Sequence, residues 1–118
     1  SIVAGPDISL NHQQANAIKA AALKAELEIG DLELFEINEA FAAVSAASIA
    51  ALVASTDQVN IHGGAIAIGH PVGASGARIV GHLARSLAEL GASHKGAIGI
   101  CGGGGQGVGI ILESLGGN

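Results

Sequence analysis

Three short polar segments carry the residue types that could do chemistry, and each follows a predicted strand. Asn38 and Glu39 come after the first strand, His70 follows the second, and Cys101 closes the third. A histidine and a cysteine together can transfer protons, or can act as base and nucleophile. Because ligands bind at the carboxyl ends of strands in open α/β sheets, we expect these residues to converge on one site. Each also has a structural interpretation: Asn38 as a helix cap, His70 as a hydrogen-bonded interior histidine and Cys101 as a small core residue.

Glycines surround two of these residues. The segment 63–76 places His70 among residues that let a ligand or a second backbone approach closely. Four glycines, 102–105, follow Cys101, and their backbone N–H groups could face a developing oxyanion. On the residues alone, Cys101 is either an acid/base group or a nucleophile with His70 as its base.

The same glycine tract satisfies the spacing of a dinucleotide-binding fingerprint, through Gly102, Gly104 and Gly107. That fingerprint opens a helix and is followed by an acidic residue about 20 positions on. A strand-like apolar run follows here instead, so we set the nucleotide interpretation aside. No Gly-Lys-Ser/Thr sequence supports a phosphate-binding loop either.

Hydrophobic periodicity predicts the elements that must position these groups. Helices are expected over 15–29, with Gly30 as a stop, over 40–54 and over 73–90, strands over 34–37, 59–61, 97–101 and 107–112, and an irregular run over 65–69. The segment 40–54 has no charged residue, which predicts a helix covered on every side. The alternation predicts one α/β domain, with a mixed, mainly parallel sheet packed between helices and an antiparallel final pair.

Composition argues against several classes of protein. With 118 residues the chain can bury one modest core, and 49% hydrophobic against 13% charged residues is not the composition of a disordered chain. A net charge of -5 with only five Lys plus Arg gives no basic surface for nucleic acid or for an anionic membrane. No apolar run approaches the roughly 20 residues of a membrane span. We therefore expect no nucleic-acid or membrane partner.

The single cysteine and five histidines show no paired ligand spacing of the kind that a zinc site needs. We therefore predict no metal site. A lone cysteine also predicts a reduced thiol and an intracellular location, for which the cytoplasm is the default.

Three segments together resemble the thiolase family, in the same order and with matching spacing. They are NEAFA at 38–42, NIHGG at 60–64 leading into GHP at 69–71 and SGAR at 75–78, and CGGG at 101–104. The resemblance implies a thiolase-like layered fold in which residues 1–118 form the C-terminal domain only. It also implies that the first strand is truncated and that the N-terminal half and the coenzyme A loop domain are absent. We therefore expect no acyl transfer by the isolated chain, and self-association through the exposed face of the 73–90 helix.

Thiolases interconvert two acyl-CoA molecules with a 3-ketoacyl-CoA plus free coenzyme A, through an acyl-cysteine intermediate. The family's nucleophilic cysteine lies in the N-terminal half. The resemblance implies that His70 takes the proton from that nucleophile and helps hold the thioester oxygen, and that Asn38 positions a water of the oxyanion hole. Cys101 would exchange a proton with the α-carbon or the leaving thiol.

The resemblance also implies that Gly103 offers its backbone N–H to the acyl-enzyme oxygen, and that Phe41 and Ala40 line the pantetheine channel. Coenzyme A thioesters would be substrates, with no further cofactor. The expected partners are a thiolase N-terminal half and further copies in a dimer or tetramer.

Two other functions stay open on the sequence. The chain could be a non-catalytic structural or interaction module derived from a thiolase. It could also be a relative of the ketoacyl synthases, which share the architecture. Those enzymes use paired histidines, or histidine with asparagine, where this chain has His70 with Cys101.

Overall fold

The computed structural model of the chain describes residues 13–101 and 107–115. Its elements are helix α1 (Gln13–Lys24), strand β1 (Leu34–Ile37), helix α2 (Ala42–Leu52), one-turn helix α3 (Ala65–Ile68), helix α4 (Ser75–Leu90) and strands β2 (Lys95–Cys101) and β3 (Gly107–Glu113). Short 3-10 helices occupy Ile29–Asp31 and Thr56–Gln58. The truncated strand expected at the amino terminus lies outside the described residues. No helix in the described ranges is long and apolar enough to cross a membrane.

The described strands form one sheet in the order β1-β2-β3. Strands β1 and β2 are parallel, with Ile37 beside Gly99, whereas β2 and β3 are antiparallel, with Cys101 opposite Gly107. The α/β class and the antiparallel final pair are thus confirmed. In this register the last residue of β1, Ile37, lies beside Gly99, which is two residues before Cys101.

Helices cover both faces of this sheet, as the sequence predicts. Helices α1 and α2 pack with Phe35, Ile37 and Ala97 on one face. On the other face, the stripe Ile79, Leu83 and Leu87 of α4 packs with Ile98. Alternate residues of β1 and β2 therefore point into two separate apolar layers.

Glycines in β3 allow α1 to lie unusually close to the sheet. A Cβ placed on Gly107 would lie 2.6 Å from the carbonyl oxygen of Gln13, and one on Gly109 would overlap the backbone of Ala17. The helix therefore packs backbone to backbone against the strand. Close backbone approach, rather than large side chains, therefore fills this part of the core.

Helix α1 ends earlier than the sequence predicts, at Lys24 instead of Ile29. Glu26 takes a left-handed conformation with φ of 60°, and its N–H donates to the Leu23 carbonyl while the Leu27 N–H donates to the Ala22 carbonyl. These are the two hydrogen bonds of a Schellman motif, here without glycine at the left-handed position. The expected stop at Gly30 is wrong.

The strand expected over 59–61 is reduced to one parallel bridge between Phe35 and Val59. Asn60 turns the chain away, with φ of 49°. Its side-chain oxygen accepts from the Ile37 N–H, and its amide donates to the Ile37 carbonyl, both at 2.9 Å. The Asn60 side chain thus pairs with β1 where a strand backbone would otherwise do so.

Helix α2 is less covered than its composition predicts. It buries one face through Ser45, Ser48 and Leu52, while Ala46 and Ala50 are exposed. Only this face meets the rest of the described chain, chiefly at α1. The run over 65–69, expected to be irregular, contains the single turn α3.

Candidate active site

Asn38 lies directly after β1 and is only 1% exposed. Its backbone N–H donates to the Gly99 carbonyl at 2.9 Å, and its carbonyl accepts from Gln14 Nε2 at 3.0 Å. The side-chain oxygen Oδ1 is buried and has no hydrogen-bond partner within the described part of the chain. The residue that caps α2 is Phe41, so the helix-cap interpretation of Asn38 is wrong. A buried acceptor of this kind calls for an explanation, such as a bound water.

Cys101 is the last residue of β2, half-buried and with a free thiol. Because Ile37 and Gly99 are parallel partners, the chain leaves β1 at Asn38 and β2 at Cys101 on the same edge of the sheet. This is the edge where open α/β sheets bind ligands. Gly103, predicted to donate its backbone N–H, lies outside the described residues.

His70 follows α3 on an exposed loop, after Gly69 with φ of 97°. Its Nδ1 lies 2.6 Å from Ser75 Oγ. Ser75 is the first residue of α4, is 2% exposed, and donates its hydroxyl proton to the Pro71 carbonyl at 3.2 Å. The interpretation of His70 as an interior histidine is therefore wrong.

The first turn of α4 brings this loop toward Cys101. A Cβ placed on Gly76 would lie 3.9 Å from Cδ1 of Ile100, the residue before Cys101. Ser75 therefore anchors His70 to a helix terminus that packs against the end of β2. Among residues 13–101 and 107–115, however, no hydrogen bond joins the side chains of Asn38, His70 and Cys101. The three belong to one edge of the domain without being linked to one another there.

Residues near this edge also form an exposed apolar surface. Phe41 is 72% exposed at the start of α2, whereas Ala40 before it is half-buried. Ile66, Ile68 and Val72 on either side of His70 are likewise exposed. Such exposed apolar groups beside polar ones are typical of a surface that binds a ligand or another polypeptide.

Glu39, which the sequence grouped with Asn38 but gave no role of its own, is a positioning residue. Its Oε1 accepts from the Ile66 N–H at 3.2 Å, which ties the segment after β1 to helix α3. A Cβ on Gly64 would collide with the Glu39 carboxylate, so Gly64 leaves room for this contact. Glu39 thereby helps to fix the loop that leads to His70.

A separate cluster of one glutamate and two histidines, which the sequence did not predict, lies on the α4 face of the sheet. Glu36 in the middle of β1 is buried, and its Oε1 lies 2.5 Å from His82 Nδ1. His82 Nε2 lies 3.0 Å from His62 Nδ1, and the two rings meet edge to face. The signal available in the sequence was Glu36 itself, because a carboxylate inside an apolar strand needs a buried partner.

Burial raises the pKa of the Glu36 carboxyl above its ordinary value of 4.5. The charge and hydrogen bond of His82 oppose this shift, as do the charges of Arg78 and His62, without cancelling it. Desolvation of the carboxylate thus exceeds the stabilisation that its neighbours provide. Within the described ranges, no group of three or more His, Cys, Asp or Glu side chains is arranged to hold a metal ion.

Comparison with known sequences gives a consistent set of relatives. A family model described as "Thiolase, C-terminal domain" matches residues 1–114. A probable acetyl-CoA acetyltransferase of Mycobacterium leprae is 49% identical over 114 residues, covering 97% of this chain and 29% of that protein. The cytosolic acetyl-CoA acetyltransferase of Mus musculus is 50% identical over 97 residues, 82% of this chain and 24% of that protein.

Solved structures of thiolases are also similar to this chain. Human mitochondrial 3-ketoacyl-CoA thiolase in complex with CoA superposes with a TM-score of 0.85 at 40% identity, over 95% of this chain and 28% of that one. The dimeric peroxisomal thiolase of Saccharomyces cerevisiae gives a TM-score of 0.82 at 37% identity, over 89% of this chain and 26% of that one. The chain therefore spans less than a third of the length of these relatives.

Proposed function

The chain belongs to the thiolase family as its C-terminal domain, and from this premise we propose that it supplies the acid/base half of an acyl-CoA C-acyltransferase. The reaction is the Claisen condensation of two acyl-CoA molecules, or the thiolysis of a 3-ketoacyl-CoA in reverse. Coenzyme A thioesters are the substrates, with no resident cofactor. The nucleophilic cysteine is supplied by a thiolase N-terminal half.

The observation that carries this proposal is the arrangement of His70. Ser75 Oγ contacts Nδ1 of the ring, and the loop that carries His70 is exposed. The first turn of α4 brings this loop toward the edge of the sheet at which Asn38 and Cys101 follow their strands. A neutral His70 is therefore free to take the Sγ–H proton of the nucleophilic cysteine at Nε2. The resulting thiolate attacks the first acyl-CoA, forms the acyl-cysteine and releases coenzyme A, which recovers the proton from His70.

Cys101 serves the second half-reaction as the base. Its thiolate removes a proton from the α-carbon of the second acyl-CoA, and the enolate carbon forms a bond to the acyl-cysteine carbonyl. The bond to the nucleophilic sulfur then breaks, which releases the 3-ketoacyl-CoA, and the Cys101 proton returns to that sulfur. In thiolysis the same steps run backward.

Fixed donors hold the oxygens that gain charge in these steps. The buried Oδ1 of Asn38 accepts one hydrogen of a water, and that water donates its other hydrogen to an oxyanion. Protonated His70 and the backbone N–H of Gly103 complete the donor sets. The buried Oδ1 of Asn38, which has no hydrogen-bond partner within residues 13–101 and 107–115, supports its part in this assignment.

Phe41 and Ala40 contact the pantetheine arm of the substrate, and the apolar residues around His70 are covered by substrate and by the N-terminal half. The exposure of Phe41, Ile66 and Val72 supports this part of the proposal. We also propose a dimer or tetramer for the whole protein. The yeast relative is described as dimeric, and the human one was solved with CoA.

The test is thiolysis of acetoacetyl-CoA by the chain alone, by a thiolase N-terminal half alone, and by the two refolded together. We expect activity only in the mixture, and we expect His70→Gln to reduce it by about 10²- to 10⁴-fold, the usual contribution of a positioned base. His94→Gln is the matched control, because His94 pairs with Glu33 beside the opposite end of β2.

Two outcomes would overturn parts of the proposal. Activity of the chain alone would make Cys101 the nucleophile and His70 its base. Full activity of a Cys101→Ala mixture would remove Cys101 from the reaction and favour a ketoacyl synthase relative.

A further inference from the structure

We propose that Ser75 is a positioning residue that fixes which nitrogen of His70 carries the proton. The inference rests on the proposed function only in assigning His70 as the base. The hydrogen bonds of Ser75 themselves do not depend on that assignment. The effect is control of the tautomer: a neutral hydroxyl holds the imidazole with Nε2 unprotonated.

The Ser75 hydroxyl has a single proton and two contacts. The Pro71 carbonyl, 3.2 Å away, can only accept, so both contacts are hydrogen bonds only when that proton is donated to Pro71. The hydroxyl therefore meets His70 Nδ1, at 2.6 Å, with a lone pair and not with a proton. A lone pair requires an N–H opposite it, so Nδ1 is protonated and the basic lone pair of neutral His70 lies on Nε2.

This arrangement serves both protonation states of the base. When His70 gains a proton at Nε2, Nδ1–H still donates to Ser75 Oγ, and no contact on the Ser75 side has to change. A carboxylate in the place of Ser75 would instead stabilise the charged imidazolium specifically. A neutral partner orients the ring without biasing it as strongly toward the charged form.

The hydroxyl is itself held rigidly. Ser75 is 2% exposed, and its backbone N–H and that of Ala74 both donate to the same Pro71 carbonyl, at 2.9 and 2.8 Å. The chain from Pro71 to Ser75 is thus a closed turn that sets the direction of the hydroxyl. Ser75 does not cap α4, since the capping residue is Ala74 and its side chain makes no cap hydrogen bond. The contacts of the Ser75 side chain are therefore with His70 and Pro71, and it has no role as the cap of α4.

The ¹⁵N chemical shifts of the two imidazole nitrogens report the His70 tautomer directly. They are measured in the 118-residue chain at a pH at which His70 is neutral. The His70 signals are assigned by their loss in His70→Gln. We expect the unaltered chain to hold the proton on Nδ1. In Ser75→Ala the proton should redistribute toward Nε2, the nitrogen that neutral imidazole favours in water, and Ser75→Thr, which restores a hydroxyl, should return it to Nδ1.

Ser86→Ala is the matched control, because Ser86 is a buried serine of the same helix and should leave the His70 shifts unchanged. In the reconstituted mixture we expect Ser75→Ala to lower kcat by about 3- to 10-fold and to leave KM nearly unchanged. One neutral hydrogen bond can shift the population of the reactive tautomer by about this factor. An unaltered tautomer in a folded Ser75→Ala chain would overturn the inference even if the mixture were active. An inactive mixture with the expected tautomer shift would count against the proposed function and leave the role of Ser75 intact.

Discussion

Two histidines of the chain are held in contrasting ways. His70 sits on an exposed loop, and its one side-chain partner in the described residues is the neutral hydroxyl of Ser75. His82 sits in the middle of α4, between the buried carboxylate of Glu36 and the ring of His62. Among the described residues, the ring of His70 has a hydrogen-bond partner at Nδ1 only, whereas both nitrogens of His82 have partners.

The proposed role of His70 as a base is consistent with this difference, and so is a structural role for His82. An imidazole with both nitrogens engaged gives an incoming substrate no free lone pair, however short its hydrogen bonds are. Geometry taken alone would favour the Glu36–His82 pair as the reactive one, since carboxylate–histidine pairs occur in many active sites. Here that pair joins β1 to α4, and the open nitrogen belongs to His70.

The largest effect on stability should come from His82→Ala. It would leave the Glu36 carboxylate, 3% exposed, without its hydrogen-bond partner. Breaking a buried pair by removing one partner costs about 3 kcal/mol or more. We expect the free energy of unfolding in urea to fall by roughly that amount, whereas His70→Ala, an exposed position, should change it by less than about 0.5 kcal/mol.

The two variants thus test the comparison from opposite sides. Equal stability losses would mean that His70 is also structural. A small loss in His82→Ala would mean that the Glu36 side chain finds another partner, and Arg78 is the nearest candidate, because its buried Nε has no hydrogen-bond partner within the described residues.

The sequence predicted the exposed half of this comparison and missed the buried half. His70 and Cys101 stand in glycine-rich segments whose order identifies a family, so both could be proposed as site residues without a structure. Cys101 does end β2, whereas His70 follows α3 on a loop. Glu36 and His82 are far apart in sequence, and only the packing of α4 on β1 brings them together. Periodicity reports which side chains of α4 are apolar and not which polar ones are buried, so it gives no sign of the contact of His82.

Local geometry hidden from periodicity also explains the errors in the elements. The end of α1 depends on a left-handed Glu26, and the missing strand depends on an Asn60 side chain that pairs with β1. Neither residue type demands that conformation. Apart from the strand expected over 59–61 and the turn α3, the predicted helices and strands are present, and the remaining differences lie at their ends.

A smaller effect is the pH dependence that Glu36 contributes. Because burial raises the pKa of this carboxyl in the folded chain, the native state binds its proton more tightly than the unfolded state does. The stability that this group provides is therefore fully present below its unfolded pKa and is lost as pH rises through the folded pKa. Glu36→Gln cannot titrate, so wild-type stability relative to this variant should decline as pH rises from about 4.5.

The groups that face Glu36 are His82, Arg78 and His62, and all three favour its charged form. If together they outweighed desolvation, the relative stability of the wild type would rise with pH instead. Urea titrations at a series of pH values decide the sign.

The smallest effect should come from His62→Ala. His62 is exposed, and its Nδ1 contacts His82 Nε2, which could bond to water in its absence. We expect the free energy of unfolding to fall by about 0.5 to 1 kcal/mol, the net value of one hydrogen bond whose partner regains solvent. Because Glu36 would keep His82, the loss should disappear in a His82→Ala background, which a double-mutant cycle measures. Additive losses would show that His62 stabilises its loop independently, and His82 would then be a partner of Glu36 alone.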